Sequence, residues 1–176
     1  LLTRSGAPTV LAITEGFADA LRIGTQHRPR LFDLAIRLPD MLTSAVIEVK
    51  ERVAADGTVE RSLDEDHVRA ALAARLAEGF TAVGVVLMHG YRYGAHEARV
   101  AAIAREVGFA QVSVSHTVSP LIKLVARGDT TVADAYLSPA LGAYTARLAQ
   151  ACSARLLFMQ SNGGLATAQA FSGKDA

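Results

Sequence analysis

Three short stretches of this 176-residue chain combine residue types that can do chemistry. In Gln160-Ser161-Asn162-Gly163-Gly164, adjacent glycines let a ligand approach the backbone while the amides of Gln160 and Asn162 read its polar groups. The same residues also suit a plain tight turn, because Asn-Gly is common turn chemistry. No Gly-Lys-Ser or Gly-Lys-Thr follows, so the run is not a Walker phosphate loop. His89-Gly90-Tyr91 and His96-Glu97 place two imidazoles and a carboxylate on either side of one short connection, an arrangement suited to acid-base work or a metal. A metal needs a third protein ligand that the spacing does not supply. The alternative has His96 and Glu97 capping a helix start and His89 bonding within its loop. Gly128-Asp129-Thr130-Thr131 sets a carboxylate beside two hydroxyls, either as a binding cluster or with Asp129 as a helix N-cap worth ~1 kcal/mol.

The remaining reactive side chains are less informative. His67 reads as a surface residue in the first turn of its helix, and neither His27 nor His116 has a partner that sequence assigns. The single cysteine, Cys152, forms no internal disulfide and no zinc site by itself, and reads as packed rather than nucleophilic.

The elements that must position these residues follow from periodicity. Residues 9–14 form a short β-branched run between Pro8 and Gly16, a buried strand leading into a helix over 17–23 that Gly24 closes. Val46, Ile47, Val49 and Val53, with Asp56-Gly57 as a turn, predict a hairpin returning through Thr58-Val59-Glu60. Ser62 to Glu65 has capping-box spacing ahead of a helix with the stripe Val68, Leu72, Leu76, ended by Gly79. Residues 83–88 are uniformly apolar, as in a central parallel strand covered on both faces. A helix over 95–107 ending at Gly108 and a strand over 112–115 come next. The alanine-rich remainder predicts helices over 132–135 and 140–151, the second started by Ser138-Pro139, then a strand over 155–159. The 160–164 run sits at that strand's carboxyl end, where open α/β sheets bind ligands. This βαβ grammar predicts an α/β fold with a mixed or parallel sheet and flanking helices.

Composition bounds the function classes. With 51% hydrophobic residues and 18 basic against 17 acidic side chains, the chain is neither disordered nor a polyanion binder, so nucleic acid is not an expected partner. Burial of about 70% of the unfolded surface is expected at this length, enough for one core and a small second lobe. No apolar run approaches the ~20 residues of a membrane helix, and no export signal opens the chain, so a cytoplasmic location is expected. The start at Leu1 without a methionine and the stop just after Ser172-Gly173 suggest a piece of a longer protein.

Several segments together resemble the hydantoinase A/5-oxoprolinase family of ATP-dependent cyclic-amide hydrolases, which includes N-methylhydantoinase subunits. They are Thr14-Glu15-Gly16-Phe17, residues 23–29 and 31–34, Glu51-Arg52-Val53 with Asp56-Gly57, Leu63-Asp64-Glu65, His89-Gly90-Tyr91 with His96-Glu97, Thr130-Thr131-Val132, residues 135–139, and residues 159–165. The resemblance covers essentially the whole chain. It implies part of an actin/sugar-kinase/Hsp70-like ATPase fold, with residues 1–122 the latter part of the N-terminal family domain and 123–176 the beginning of the hydantoinase/oxoprolinase domain.

The same resemblance implies ATP and Mg²⁺ as needs of the parent protein, 5-oxoproline or a hydantoin as substrate, and a hydantoinase B-type partner subunit or domain. Such chemistry phosphorylates a ring carbonyl, otherwise a poor electrophile because nitrogen donates into it, and then admits water. The family's Asp-x-Gly-Gly-Thr phosphate segment is not in this sequence, so the isolated chain is expected not to turn over ATP. The sequence departs from the family pattern at Ala126-Arg127-Gly128-Asp129, where relatives commonly carry Glu-Arg-Thr-Ser, and at Gly90 and Tyr93-Gly94. Cleft candidates are therefore Gln160, Ser161, Asn162, Gly163, Gly164, Asp129, Thr130, Thr131, His89 and His96, with the catalytic residues unassigned. Two other readings stand beside this one: a subunit of an ATP-dependent ketone carboxylase, and a non-catalytic α/β ligand-binding or subunit-docking module.

Overall fold

The computed structural model describes residues 4–25, 32, 40–152 and 154–175. The predicted loop around His27-Arg28-Pro29 and most of the 31–34 segment lie outside the described residues.

A four-stranded, wholly parallel sheet organises the chain, in the order β2 (Ala45–Val49), β1 (Thr9–Thr14), β5 (Ala82–Val86), β6 (Gln111–Val114). The central strands β1 and β5 are buried at every residue, as their unbroken apolar sequences require. Alternate side chains feed two cores. Val10, Ala12, Val83, Val85 and Leu87 face the helices α2 (Glu65–Ala77) and α3 (Ala95–Val107), which contribute Val68, Leu72, Val100 and Ile103. Leu11, Ile13 and Val86 face the opposite way, toward Leu21 of the short helix α1 (Ala20–Ile23) and Val132 of the long helix α5 (Leu124–Ala151). α5 packs directly on β5 at Gly84, where an added Cβ would make ordinary contact with Thr131 and the Val132 backbone at 3.7 Å.

Local chemistry shifts several predicted boundaries. The expected 17–23 helix is confined to Ala20–Ile23, because Gly16 at φ 90° and a Phe17 N–H bond to the Thr14 carbonyl make a tight turn first. Residues 46–49 do not enter a hairpin. They join the main sheet as β2, and the hairpin is only β3 (Arg52–Val53) with β4 (Val59–Arg61), turning at Gly57 with φ 96°. Asp64, rather than Ser62, caps α2, accepting the His67 N–H at 3.0 Å. β6 stops at Val114, and Ser115 opens a one-turn helix, α4 (Ser115–Val118).

The largest correction is at Ser138-Pro139, which starts no helix: α5 runs through it with Pro139 inside. Proline removes one helical hydrogen bond and crowds the preceding turn. Burial of Thr131, Val132, Ala135 and Tyr136 upstream, and a Ser138 hydroxyl bond to Asp134 at 3.1 Å, hold the helix together. After α5, the strands β7 (Leu157–Met159) and β8 (Leu165–Thr167) form a separate antiparallel hairpin, and a 3-10 turn (Gly173–Asp175) packs back on α5. No helix among the described residues is long and apolar enough to cross a membrane.

On the surface, Arg99 binds Glu65 at 2.6 Å and Glu106 at 3.3 Å, while Arg69 binds Glu106 at 2.5 Å, linking α2 to α3. The hydrogen bond from Arg99 holds the Glu65 carboxyl below its ordinary value of 4.5. A depressed folded pKa contributes stability that is present above the unfolded value and lost as pH falls through the folded one. The difference in urea midpoint between wild type and Glu65→Gln should therefore be present at pH 7 and close as pH drops below 4.5. Pro139 is exposed, so Pro139→Ala should raise the unfolding free energy measured in urea, by up to about 3 kcal/mol. Loss of stability instead would mean that α5 needs the proline's distortion to pack.

Candidate functional site

All four strands of the parallel sheet end at one rim, and the polar residues just past those ends meet there. Register aligns Thr14 with Val49, Ile13 with Val86, and Val85 with Val114. Thr14, Glu51, Leu87 to His89, and Ser115 with His116 consequently lie side by side, and the first turn of α3 adds His96 and Glu97.

Glu97 is the hub. It is fully buried, and its Oε1 accepts the Leu87 N–H at 2.8 Å and the Ser115 hydroxyl at 2.5 Å, while Oε2 accepts the His116 N–H at 3.0 Å and Nδ1 at 2.6 Å. An ionised carboxylate offers about four acceptor sites, and here all are used. Gly90 must be glycine, because a Cβ there would collide with this carboxylate. Behind Glu97 lies Arg127 of α5, 1% exposed. Its Nε donates to the Ser115 hydroxyl at 2.8 Å and its two terminal nitrogens donate to the carbonyls of Leu121 at 2.8 Å and Leu87 at 2.5 Å. Its guanidinium also lies over the Tyr91 ring, 5.6 Å from the centroid. Burial pushes the Arg127 pKa down, and the Glu97 charge works against that shift. The directed chain Arg127 to Ser115 to Glu97 is an ion pair bridged by a hydroxyl.

A second buried carboxylate, Glu51, sits on the other side of the same rim. Thr14 accepts the Met88 N–H at 2.8 Å and passes its own hydroxyl proton toward Glu51 Oε1 at 2.5 Å. The other oxygen, Oε2, accepts from His96 Nδ1 at 2.8 Å. His89 occupies the left-handed region with φ 58°, a conformation costing about 1–3 kcal/mol for a residue with a side chain. The flanking bonds to Leu87 and Met88 hold it there, and its ring lies 6.2 Å from that of Tyr91.

The other predicted residues lie elsewhere. Gln160 to Gly164 form the turn of the β7–β8 hairpin, at the carboxyl end of β7. Asn162 Oδ1 accepts the Gly164 N–H at 2.7 Å, Gly163 takes φ 85°, and Gln160 donates to Asp175 at 2.7 Å. Burial works to raise the Asp175 pKa, but bonds from Lys174 and Ser172 outweigh it and the net shift is down. Asp129 is no N-cap: it lies inside α5, where desolvation raises its carboxyl pKa although the residue keeps an exposed surface. Thr130 and Thr131 bond back to the carbonyls of Ala126 and Arg127 at 3.1 and 2.7 Å. Cys152 is exposed rather than packed, because it follows the last turn of α5.

His89 and His96 share the rim, yet each is held separately. Glu97 points inward instead of capping α3, whose N-cap is Gly94. Sequence reasoning missed Thr14, Glu51, Ser115, His116 and Arg127 as a cluster. A usable signal was present for four of them, Thr14, Glu51, Ser115 and His116: each is a polar residue within two positions of the carboxyl end of an apolar run.

Residues 1–108 match the family model described as hydantoinase/oxoprolinase N-terminal region, and residues 127–176 match that described as hydantoinase/oxoprolinase. The chain is similar to 5-oxoprolinase 1 of Arabidopsis thaliana, at 38% identity over all of this chain and 16% of that protein. It is 35% identical to the acetophenone carboxylase gamma subunit of Aromatoleum aromaticum over 78% of this chain and 21% of that one. Among solved structures, the ATP-dependent caprolactamase from Pseudomonas jessenii superposes with a TM-score of 0.85 at 29% identity, covering 95% of this chain and 26% of that chain. The chain thus spans about a sixth of the length of the oxoprolinase it matches.

Removing one member of a buried charge pair leaves the other uncompensated, at a cost of about 3–5 kcal/mol. Arg127→Leu should therefore destabilise the chain by roughly that amount, and Ser115→Ala by about 1–3 kcal/mol through the lost bridge. Urea unfolding of both variants checks the order. Equal, small losses would show that Glu97 is satisfied without Arg127.

Proposed function

The chain belongs to the hydantoinase/oxoprolinase family, and from that premise we propose that its parent protein opens a cyclic amide, 5-oxoproline or a hydantoin, in an ATP-consuming hydrolysis. The observation that carries the reading is the likeness across 95% of the chain to a protein whose name couples ATP to a lactam. The match to an oxoprolinase supports the same substrate class. In the reaction, the γ-phosphoryl of ATP passes to the ring carbonyl oxygen and ADP leaves; water attacks the ring carbon, the ring nitrogen takes up a proton as its bond to carbon breaks, and a second water releases phosphate from the acyl phosphate that remains.

The described residues do not themselves fit Mg²⁺ or a triphosphate. Among the described residues no three His, Cys, Asp or Glu side chains converge to hold a metal ion. The oxygens of Glu97 are filled by N–H and O–H donors, and Glu51 already holds one donor on each oxygen. In this reading the nucleotide is held by other parts of the parent, and the rim of the parallel sheet serves the ring compound. Residues 1–122 and 123–176 then belong to two successive family domains, with Arg127 of the second anchored in the strand ends of the first. A hydantoinase B-type partner subunit or domain completes the enzyme. The name of the carboxylase gamma subunit supports an assembly of several subunits, and it favours one second reading, an ATP-dependent ketone carboxylase subunit.

Incubating the full-length parent with ATP and either 5-oxoproline or hydantoin, with and without bicarbonate, separates the two. Phosphate release should depend on the ring compound and not on bicarbonate. ATP use that requires a ketone together with bicarbonate would replace ring opening by carboxylation.

A further inference from the structure

The two buried carboxylates treat two histidines alike. Glu51 takes His96 Nδ1 at 2.8 Å, and Glu97 takes His116 Nδ1 at 2.6 Å. Both glutamate side chains are 0% exposed, whereas the imidazoles keep 18% and 26% of their surface. Since each ring is pinned by Nδ1, its Nε2 points away from the buried glutamate. No described residue bonds either Nε2. Both rings belong to the same sheet rim. His116 lies against Gly94, whose added Cβ would sit 3.1 Å from the ring, and His96 is two residues further along the same helix start.

Proton bookkeeping then sets the tautomers. The Thr14 hydroxyl accepts from the Met88 amide and so donates to Glu51; the Ser115 hydroxyl accepts from Arg127 and so donates to Glu97. Ionised carboxylates only accept, so each neutral ring must carry its proton on Nδ1 and present Nε2 as an acceptor. We propose that Glu51 and Glu97 are positioning residues that lock His96 and His116 as a pair of outward Nε2 acceptors, receiving the N–H of a cyclic amide or the water that opens it. The inference rests on the ring-opening reading for the identity of that ligand.

In the step it serves, the water O–H bond breaks as Nε2 of His96 takes the proton. Oxygen bonds the ring carbon, and the same proton passes to the departing ring nitrogen. The Glu51 carboxylate stabilises the transient imidazolium, as a buried carboxylate does behind any catalytic histidine. A neutral amide in place of Glu51 removes both effects, because its NH₂ can face Nδ1 and turn the ring to the other tautomer.

Long-range ¹H–¹⁵N spectra of the 176-residue chain, at a pH where the rings are neutral, should show both His96 and His116 protonated on Nδ1. Glu51→Gln should disturb His96 alone. In the full-length parent, Glu51→Gln should lower kcat about 10- to 100-fold with KM near wild type, and His96→Gln about 10²- to 10⁴-fold. Glu97→Gln is expected to unfold, so His116→Gln serves for the second ring and should lower kcat or raise KM for the ring compound at an unchanged melting temperature. A wild-type ring protonated on Nε2 overturns the inference. So does a Glu51→Gln parent whose melting temperature falls while kcat per folded enzyme stays at the wild-type value. The tautomers are read without substrate, so a wild-type parent inert toward both ring compounds sinks the ring-opening reading alone.

Discussion

A fully buried glutamate cannot be left unpaired, and most of the architecture at the sheet's carboxyl rim answers to that constraint. Glu97 draws donors from the end of β5, from both the backbone and the ring of His116, and from Ser115, which in turn is held by Arg127. Four elements, β5, α3, α4 and α5, are thereby tied to one pair of oxygen atoms. The requirement reaches further, to the absence of a side chain at Gly90 and to the left-handed backbone of His89 one residue earlier.

This hub also explains how the second half of the chain attaches to the first. Helix α5 covers the face of the sheet built from Leu11, Ile13 and Val86, an apolar contact with little directional content. Arg127 supplies the direction, because its three bonds to Ser115, Leu121 and Leu87 permit one registration of the helix over the strand ends. Further along the same helix, Asp134 repeats the device. It accepts from Ser113 of β6 at 2.7 Å, from Ser138 at 3.1 Å, and from the Lys174 N–H at 2.9 Å, so it fastens the 3-10 turn to both helix and sheet.

Burial and openness are divided across the rim in a way that suits chemistry. The carboxylates, hydroxyls and guanidinium are inside and satisfied, and no buried polar side-chain atom among the described residues lacks a partner. The imidazoles of His96 and His116 remain partly open. Such a division separates the cost of holding charge in a low-dielectric interior from the task of meeting a ligand, which falls to imidazoles held through one ring nitrogen.

Local sequence determined the secondary structure and the layers. The unbroken apolar runs at 9–14 and 82–86 could be nothing but strands covered on both faces. The spacing of Val68 and Leu72, and the helix from Ala95 to Val107 closed by left-handed Gly108, were equally plain. The alignment of the motifs with one family was legible for the same reason, since each motif is a run of neighbours in sequence. The site was not, because its bonds join residues 37, 45 and 40 positions apart, as in Thr14 to Glu51, His96 to Glu51, and Arg127 to Leu87. No periodicity marks such pairs. The same limit accounts for Pro139, whose helix-breaking tendency was overridden by the packing of α5 and the Ser138–Asp134 bond. It also accounts for the 160–164 turn, which only the pairing of β7 with β8 identifies as the end of a hairpin. Tertiary structure decided which carboxylates lose water, and hence which histidines are held and by which nitrogen, because burial belongs to the assembled fold and not to any stretch of sequence.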